Sequence, residues 1–316
     1  MTQATQGATY GGVNAAVLTA VDADLAPDLE LTAAHASWLL NNGCNGLGLL
    51  GTTGEANSFG VSERKTILEG LVSRGVPAAK LMPGTGTTNI ADTVELTRHA
   101  ATQGCPGVLV LPPFYYKNPT EDGLFAFFSE VVNRVGGGVK LYLYHFPQQS
   151  AVPFTLKLIE RLLKAFPGVI AGAKDSGGDY SNMKAMVDNF AAEGFEVYSG
   201  SDEFLQQILR DGGAGCITAA SNGNARFGAA VYAHRTGPEA DAAQAKLTAT
   251  RRAATSVPLI PGLHEIIARA TGQEGWRNIR PPHTRLSAAE AEAAWAAWDA
   301  AGALPLPGLE LPRAAE

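Results

Sequence analysis

The sequence predicts an α/β fold, a (β/α)8 TIM barrel with a C-terminal helical region. Eight short apolar runs recur over about 210 residues, and helical patterns separate them. Each run is nearly continuous in apolar residues instead of alternating, as strands buried on both faces must be. Several runs end in a turn that carries hydroxyls, a phenol or an amine, where a barrel gathers its reactive groups.

The first strand is expected at 13–21. A helix follows near 28–42, with Leu31, Ala34, Trp38 and Leu39 on one face. A second strand, 46–50, ends in Gly51-Thr52-Thr53-Gly54-Glu55, and Ser62 reads as the cap of a helix running to about 74. The third strand is 80–84, its helix 90–102. The fourth, 107–111, ends in Pro112-Pro113-Phe114-Tyr115-Tyr116, and Thr120 opens a helix through 128. The fifth, 139–144, leads into His145-Phe146-Pro147 and a helix at 156–165. The sixth, 169–174, ends on Lys174 before a helix near 182–192. The seventh, 196–199, ends in Gly200-Ser201-Asp202 ahead of a short helix, 203–210, and 213–217 is the eighth.

Beyond about 224 only helices are expected, at 227–234, 238–252, 263–270 and 288–301. Ser287 and Glu290 form a capping box for the last, and Gly302, Pro305 and Pro307 stop it. The expected division is a flexible tail 1–12, a barrel 13–223 that holds the active site, a helical region 224–302 and a tail 303–316.

Composition narrows the function classes. Of 316 residues 46% are hydrophobic, enough for a large core, and the net charge is −6. No dense Lys/Arg run points to nucleic acid. Cys44, Cys105 and Cys216 are too scattered for a disulfide framework or zinc motif, which suggests a reducing compartment. Residues 1–12 do not read as a secretory signal, and no apolar run approaches the ~18 residues of a membrane span. A cytoplasmic protein with no membrane partner is expected. The histidines at 35, 99, 145, 234, 264 and 283 lack metal-ligand spacing, so no metal and no cofactor is expected. Gly84-Thr85-Gly86 lacks the third glycine of a dinucleotide fingerprint, and Trp295 and Trp298 read as packing residues.

The chemistry-bearing set at the strand ends is Thr52, Thr53, Tyr115, Tyr116, Tyr144 and Lys174. Lys174 is a single cation closing an apolar run; desolvation there favours the neutral amine, which attacks carbonyls. Tyr144 lies one βα unit earlier, so the two should sit at similar height on neighbouring strands. Taken singly, Tyr144 also reads as a core tyrosine and the threonines as turn residues. Together they supply an amine nucleophile, a proton-shuttling phenol and hydroxyls suited to a carboxylate.

These residues resemble a known family. Gly51-Thr52-Thr53-Gly54-Glu55, the Tyr-x-x-Pro of Tyr144 and Pro147, Lys174, Gly200-Ser201-Asp202 and Gly215-Cys216-Ile217 stand in the order and spacing of the dihydrodipicolinate synthase/N-acetylneuraminate lyase superfamily. The resemblance covers roughly residues 13–300. It implies a homo-oligomer, usually a tetramer, acting as a class I lyase on pyruvate or a related small 2-oxo acid. By the same resemblance Lys174 forms the Schiff base and Tyr144 is its acid/base. Thr52 and Thr53 hold the carboxylate, Thr53 links Tyr144 to a second tyrosine, and Ile217 lies against the pyruvyl group. That second tyrosine is Tyr116, reaching in from a neighbouring subunit, with Tyr115 as the alternative.

One departure bears on substrate. Lysine-pathway synthases carry an arginine five residues after the strand-five tyrosine, and Gln149 stands there; a neutral amide does not replace a charged fork. His145 replaces a common asparagine and is a candidate substrate contact. The Lys174-Asp175-Ser176-Gly177-Gly178-Asp179 segment is similar to 4-hydroxy-2-oxoglutarate aldolases, which makes Ser176 and Gln149 candidate substrate-binding residues. The expectation is an aldolase or dehydratase of a hydroxy-2-oxo acid, of the 4-hydroxy-2-oxoglutarate or 2-keto-3-deoxy sugar acid type. 4-Hydroxy-tetrahydrodipicolinate synthesis is disfavoured by Gln149, and a non-catalytic 2-oxo-acid-binding relative is the rival from another class.

Overall fold

The computed structural model describes residues 8–309; the outer parts of the two expected tails lie outside the described residues. Seven parallel strands run in the order β2-β1-β7-β6-β5-β4-β3. They are β1 (Gly12–Ala16), β2 (Gly46–Gly48), β3 (Gly107–Val110), β4 (Lys140–His145), β5 (Ile170–Asp175), β6 (Glu196–Ser199) and β7 (Gly215–Thr218). The helices are α1 (Leu29–Asn41), α2 (Val61–Ser73), α3 (Ile90–Thr102), α4 (Glu121–Val135), α5 (Pro147–Ser150), α6 (Leu156–Ala165), α7 (Tyr180–Phe190) and α8 (Leu205–Asp211). After β7 come α9 (Ser221–His234), α10 (Pro238–Ala254), α11 (Leu259–Thr271) and α12 (Ala288–Ala300).

The eighth stave differs from the expected strand at 80–84. Ala78–Lys80 is a 3-10 turn, and residues 81–85 pair only through isolated bridges. They still close the ring. The Met82 and Gly84 N–H groups donate to Leu47 and Leu49 carbonyls at 2.8 and 2.7 Å on one side. Thr85 and Leu109 complete the other, at 2.9 Å each, to Leu109 and Pro83 carbonyls. Pro83 has no N–H to extend a ladder, and at Gly84 a Cβ would lie 2.3 Å from the Leu50 carbonyl, so chain and turn touch directly. The result is an α/β barrel of parallel strands wrapped by helices, as expected.

Smaller differences have local causes. Gly60, not Ser62, caps α2, its N–H donating to Glu63 at 2.9 Å. Helix α4 runs past the expected 128 until Gly136, at φ 81, ends it. Pro147 opens the unexpected α5 at a position where its missing N–H costs nothing. Helix α9 begins at Ser221 and so runs across the expected division at 224; it packs on β1 and α10. Residues 303–309 are packed down: Ala303, Leu306 and Leu309 are buried, and Trp38 donates to the Pro307 carbonyl at 3.0 Å. The capping box of Ser287 and Glu290 is present. Among the described residues no helix is long and apolar enough to cross a membrane.

The barrel interior is aromatic and closed at its floor. Tyr10, Tyr142, Tyr198 and Ile217 share one buried cluster. The buried Glu196 carboxylate accepts from Tyr142 at 3.0 Å and Tyr198 at 2.6 Å, and from the Thr9 N–H at 2.9 Å. The Tyr10 hydroxyl donates to the Leu81 carbonyl at 2.7 Å and accepts from the Gly107 N–H at 3.0 Å. The Glu196 carboxylate and the three phenols of the floor are therefore paired, as a buried network must be. What opens to solvent is the other end, at the strand C-termini.

Candidate active site

The register of β4 against β5 sets Tyr144 directly beside Lys174. Side chains alternate along a strand, so Tyr144 and Lys174 face inward while His145 and Asp175 face the helix layer. Lys174 is only 4% exposed; its Nζ donates to Tyr144 Oη at 3.3 Å and lies 4.3 Å from that ring's centroid. A third hydroxyl completes the group, Thr52 Oγ1 at 3.2 Å from Tyr144 Oη. The sequence reading gave this link to Thr53; the hydroxyl that reaches Tyr144 is Thr52. Thr53 beside it is buried, whereas Thr52 is exposed.

The turn that carries both threonines is held in an unusual backbone. Leu50 and Glu55, on either side of it, adopt φ of 53° and 54°, a left-handed region costly for side-chain-bearing residues. Glu55 is buried, its Oε1 3.2 Å from His264 Nε2 on α11, while His264 Nδ1 meets the Trp276 carbonyl at 2.7 Å. At the neighbouring β5 loop, a Cβ on Gly200 would lie 2.1 Å from Ser176 Oγ and 2.7 Å from the Asp175 carbonyl. Only glycine allows that approach. Asp175 itself accepts from the Gly177 N–H and from Asn182, each at 2.7 Å.

A cavity of about 510 Å³ opens above these groups. Its wall includes Thr52, Thr53, Tyr144, Gln149, Lys174 and Ser176, so six of the sequence-derived candidates meet in one space. Three do not. Ile217 is buried inside the barrel in the cluster that contains Tyr144, without lining the cavity. Tyr115 and Tyr116 stand 72% and 75% exposed after β3, packed edge to face on each other. His145 points away from the cavity, its Nδ1 accepting the Phe154 N–H at 3.1 Å, and burial holds its pKa below the usual imidazole value.

Other wall residues escaped the sequence reading: Glu203 after β6, Arg251 and Thr255 at the end of α10, and His283 in the loop before α12. Glu203 follows Gly200-Ser201-Asp202 directly and could have been found by extending that motif. The rest come from the C-terminal region, and nothing in their local sequence marks them. Below the wall, Asp202 is fully buried, accepts from Thr218 at 2.7 Å, and has its pKa raised by burial. Among the described residues no three His, Cys, Asp or Glu side chains gather as metal ligands.

Comparison with known proteins agrees with this geometry. The model of the dihydrodipicolinate synthetase family matches residues 9–298. An "uncharacterized DapA-like lyase" of Chloroflexus aurantiacus is 35% identical over 255 residues, covering 80% of this chain and 84% of that protein. A 4-hydroxy-tetrahydrodipicolinate synthase of Listeria monocytogenes is 35% identical over 185 residues, 58% of this chain and 61% of that one. Among solved structures, YagE, a prophage protein of E. coli K12 crystallised with pyruvate, superposes with a TM-score of 0.86. It is 26% identical and the match covers 94% of this chain and all of that one (100%).

Proposed function

The chain belongs to the dihydrodipicolinate synthetase family of class I pyruvate-dependent lyases, and from that premise we propose that it cleaves or dehydrates a hydroxy-2-oxo acid through a Schiff base on Lys174. The observation that carries this reading is the buried Lys174 amine 3.3 Å from the Tyr144 hydroxyl at the mouth of the barrel. The neutral amine attacks the keto carbon, and Tyr144 delivers a proton to the hydroxyl that leaves as water. In cleavage, a base takes the C4 hydroxyl proton, the C3–C4 bond breaks, and its electron pair passes into the iminium to give an enamine and an aldehyde. Protonation at C3 and hydrolysis then release pyruvate and restore the amine. The backbone N–H groups and hydroxyls of the Thr52-Thr53 turn are suited to hold the carboxylate.

The same reading gives the exposed Tyr115 and Tyr116 a role. We place the second tyrosine of the proton relay, Tyr116, in a neighbouring copy of the chain, where it would meet Thr52 in a homo-oligomer. Lysine-pathway synthesis, the activity named for the Listeria relative, is disfavoured because Gln149 puts a neutral amide on the wall. Supplying pyruvate with aspartate semialdehyde should give weak turnover or none.

The decisive experiment is borohydride reduction in the presence of pyruvate, followed by peptide mass mapping, with Lys174→Ala as control. A reduced pyruvyl adduct confined to Lys174 is expected. An adduct elsewhere, or none, overturns the mechanism.

A further inference from the structure

Resting on the Schiff-base reading, we propose that Arg251 anchors a second carboxylate at the far end of the substrate, so that the enzyme prefers a dicarboxylic 2-oxo acid. The charged groups around the cavity are unequally engaged. Asp175 is occupied by Gly177 and Asn182. Glu203 is held by Arg252, Nε to Oε1 at 3.0 Å. Arg251, the residue before, lines the cavity and has no carboxylate within ion-pair distance among the described residues. Its charge is felt by Asp202, which is buried beneath the wall with Oδ1 accepting from Thr218 and Oδ2 without a hydrogen-bond partner, beyond ion-pair distance of the guanidinium.

A half-buried guanidinium facing a cavity is a planar double donor without an acceptor, which is what a carboxylate supplies. The cavity, about 510 Å³, has room for a chain well beyond the three carbons of pyruvate. With Lys174 on β5 and Arg251 on α10 lining the same cavity, one end of the substrate is the imine-forming 2-oxo acid and the other an anion. Carboxylate is favoured over phosphate because Arg251 is the only arginine among the described residues lining the cavity, and Asp175 and Glu203, which also line it, oppose a dianion. The arginine that relatives carry near position 149 is thus replaced from a different element, a helix instead of a strand-end loop.

The test compares 2-oxoglutarate with 2-oxopentanoate, equal in chain length and differing at the terminal group. Neither carries the C4 hydroxyl, so both stop at the imine. Half-saturation of borohydride trapping on Lys174 is measured for each, with a phosphate-ended 2-oxo acid as a third probe. The natural chain should favour 2-oxoglutarate by roughly ten- to a hundred-fold, the worth of one charge-assisted contact. Arg251→Gln should abolish the preference and Arg251→Lys keep part of it. An arginine that serves only the α10 dipole would lower the melting temperature without touching this ratio. Equal half-saturation in the natural chain, a preference that survives in Arg251→Gln, or a stronger preference for the phosphate-ended acid overturns the assignment. Failure of pyruvate itself to form an adduct sinks the Schiff-base reading and this inference with it, so the two failures are told apart.

Discussion

At the scale of single residues, the site depends on a chain of three polar groups, Lys174 to Tyr144 at 3.3 Å and Tyr144 to Thr52 at 3.2 Å. A phenol that gives and takes protons needs a partner oxygen to hold its rotor. Thr52→Val keeps the shape and removes that oxygen. The rate of imine formation should fall roughly ten- to a hundred-fold while the melting temperature stays within a degree or two. Thr53→Val should instead raise the pyruvate concentration needed for half-saturation and spare the maximal rate. Stopped-time borohydride trapping separates the two; equal effects would mean that the hydroxyls share one role. Lys174 was legible in the sequence because it is a single cation closing an apolar run, and Tyr144 because it lies one βα unit earlier. The choice between Thr52 and Thr53 was not, since it rests on how the turn is held in the folded chain, which leaves Thr52 exposed beside Tyr144 and buries Thr53. Arg251 was illegible for a different reason. It lines the cavity because α10 packs on α9 and on the turn after β6, a tertiary fact with no local signature.

Among the elements, the turn after β2 carries the most stored strain. Two side-chain-bearing residues in left-handed backbone cost on the order of 1–3 kcal/mol each, and such a turn persists only if its surroundings impose it. The buried contact of Glu55 with His264 is the visible constraint, 3.2 Å long and reaching from the turn to α11. Glu55→Ala should weaken pyruvate binding several-fold and lower the melting temperature by a few degrees. Glu55→Gly relaxes the backbone yet loses the same contact. If Glu55→Gly bound pyruvate as well as the natural chain, the side chain would not be what shapes the turn. The third stave shows where element-level reading stops: 80–84 has a strand's composition, but Pro83 lacks the donor to sustain a ladder. The role survives, because two flanking strands need only the carbonyls and the N–H groups that remain.

For the molecule as a whole, a histidine governs behaviour in acid. His35 is fully buried between Trp38 and Trp276, and its Nε2 meets Asn222 Oδ1 at 3.0 Å. Asn222 in turn binds the Leu18 N–H and the Ala16 and Ala219 carbonyls, so α1, β1 and the start of α9 meet there. Burial pushes the His35 pKa down to about 4. An unfolded chain protonates this ring near pH 6.5, whereas the folded one keeps it neutral. Stability from this group is therefore complete above about 6.5 and is lost as pH falls toward 4, roughly 3 kcal/mol in all. Melting temperature measured from pH 7 to 4 should fall more steeply for the natural chain than for His35→Gln. Parallel slopes would place the acid sensitivity elsewhere. None of this was visible in the sequence, where His35 reads as one more helix-surface histidine.

The closed floor also sets an order of events during synthesis. Thr9 and Tyr10 complete it, yet the Glu196 carboxylate that receives the Thr9 N–H is 187 positions downstream. At about 5–20 residues per second, the ribosome delivers that partner roughly ten to forty seconds later. Until then β1 has one neighbour in β2 and none in β7, and its parallel edge is open. Thr9 is made long before the carboxylate that holds it.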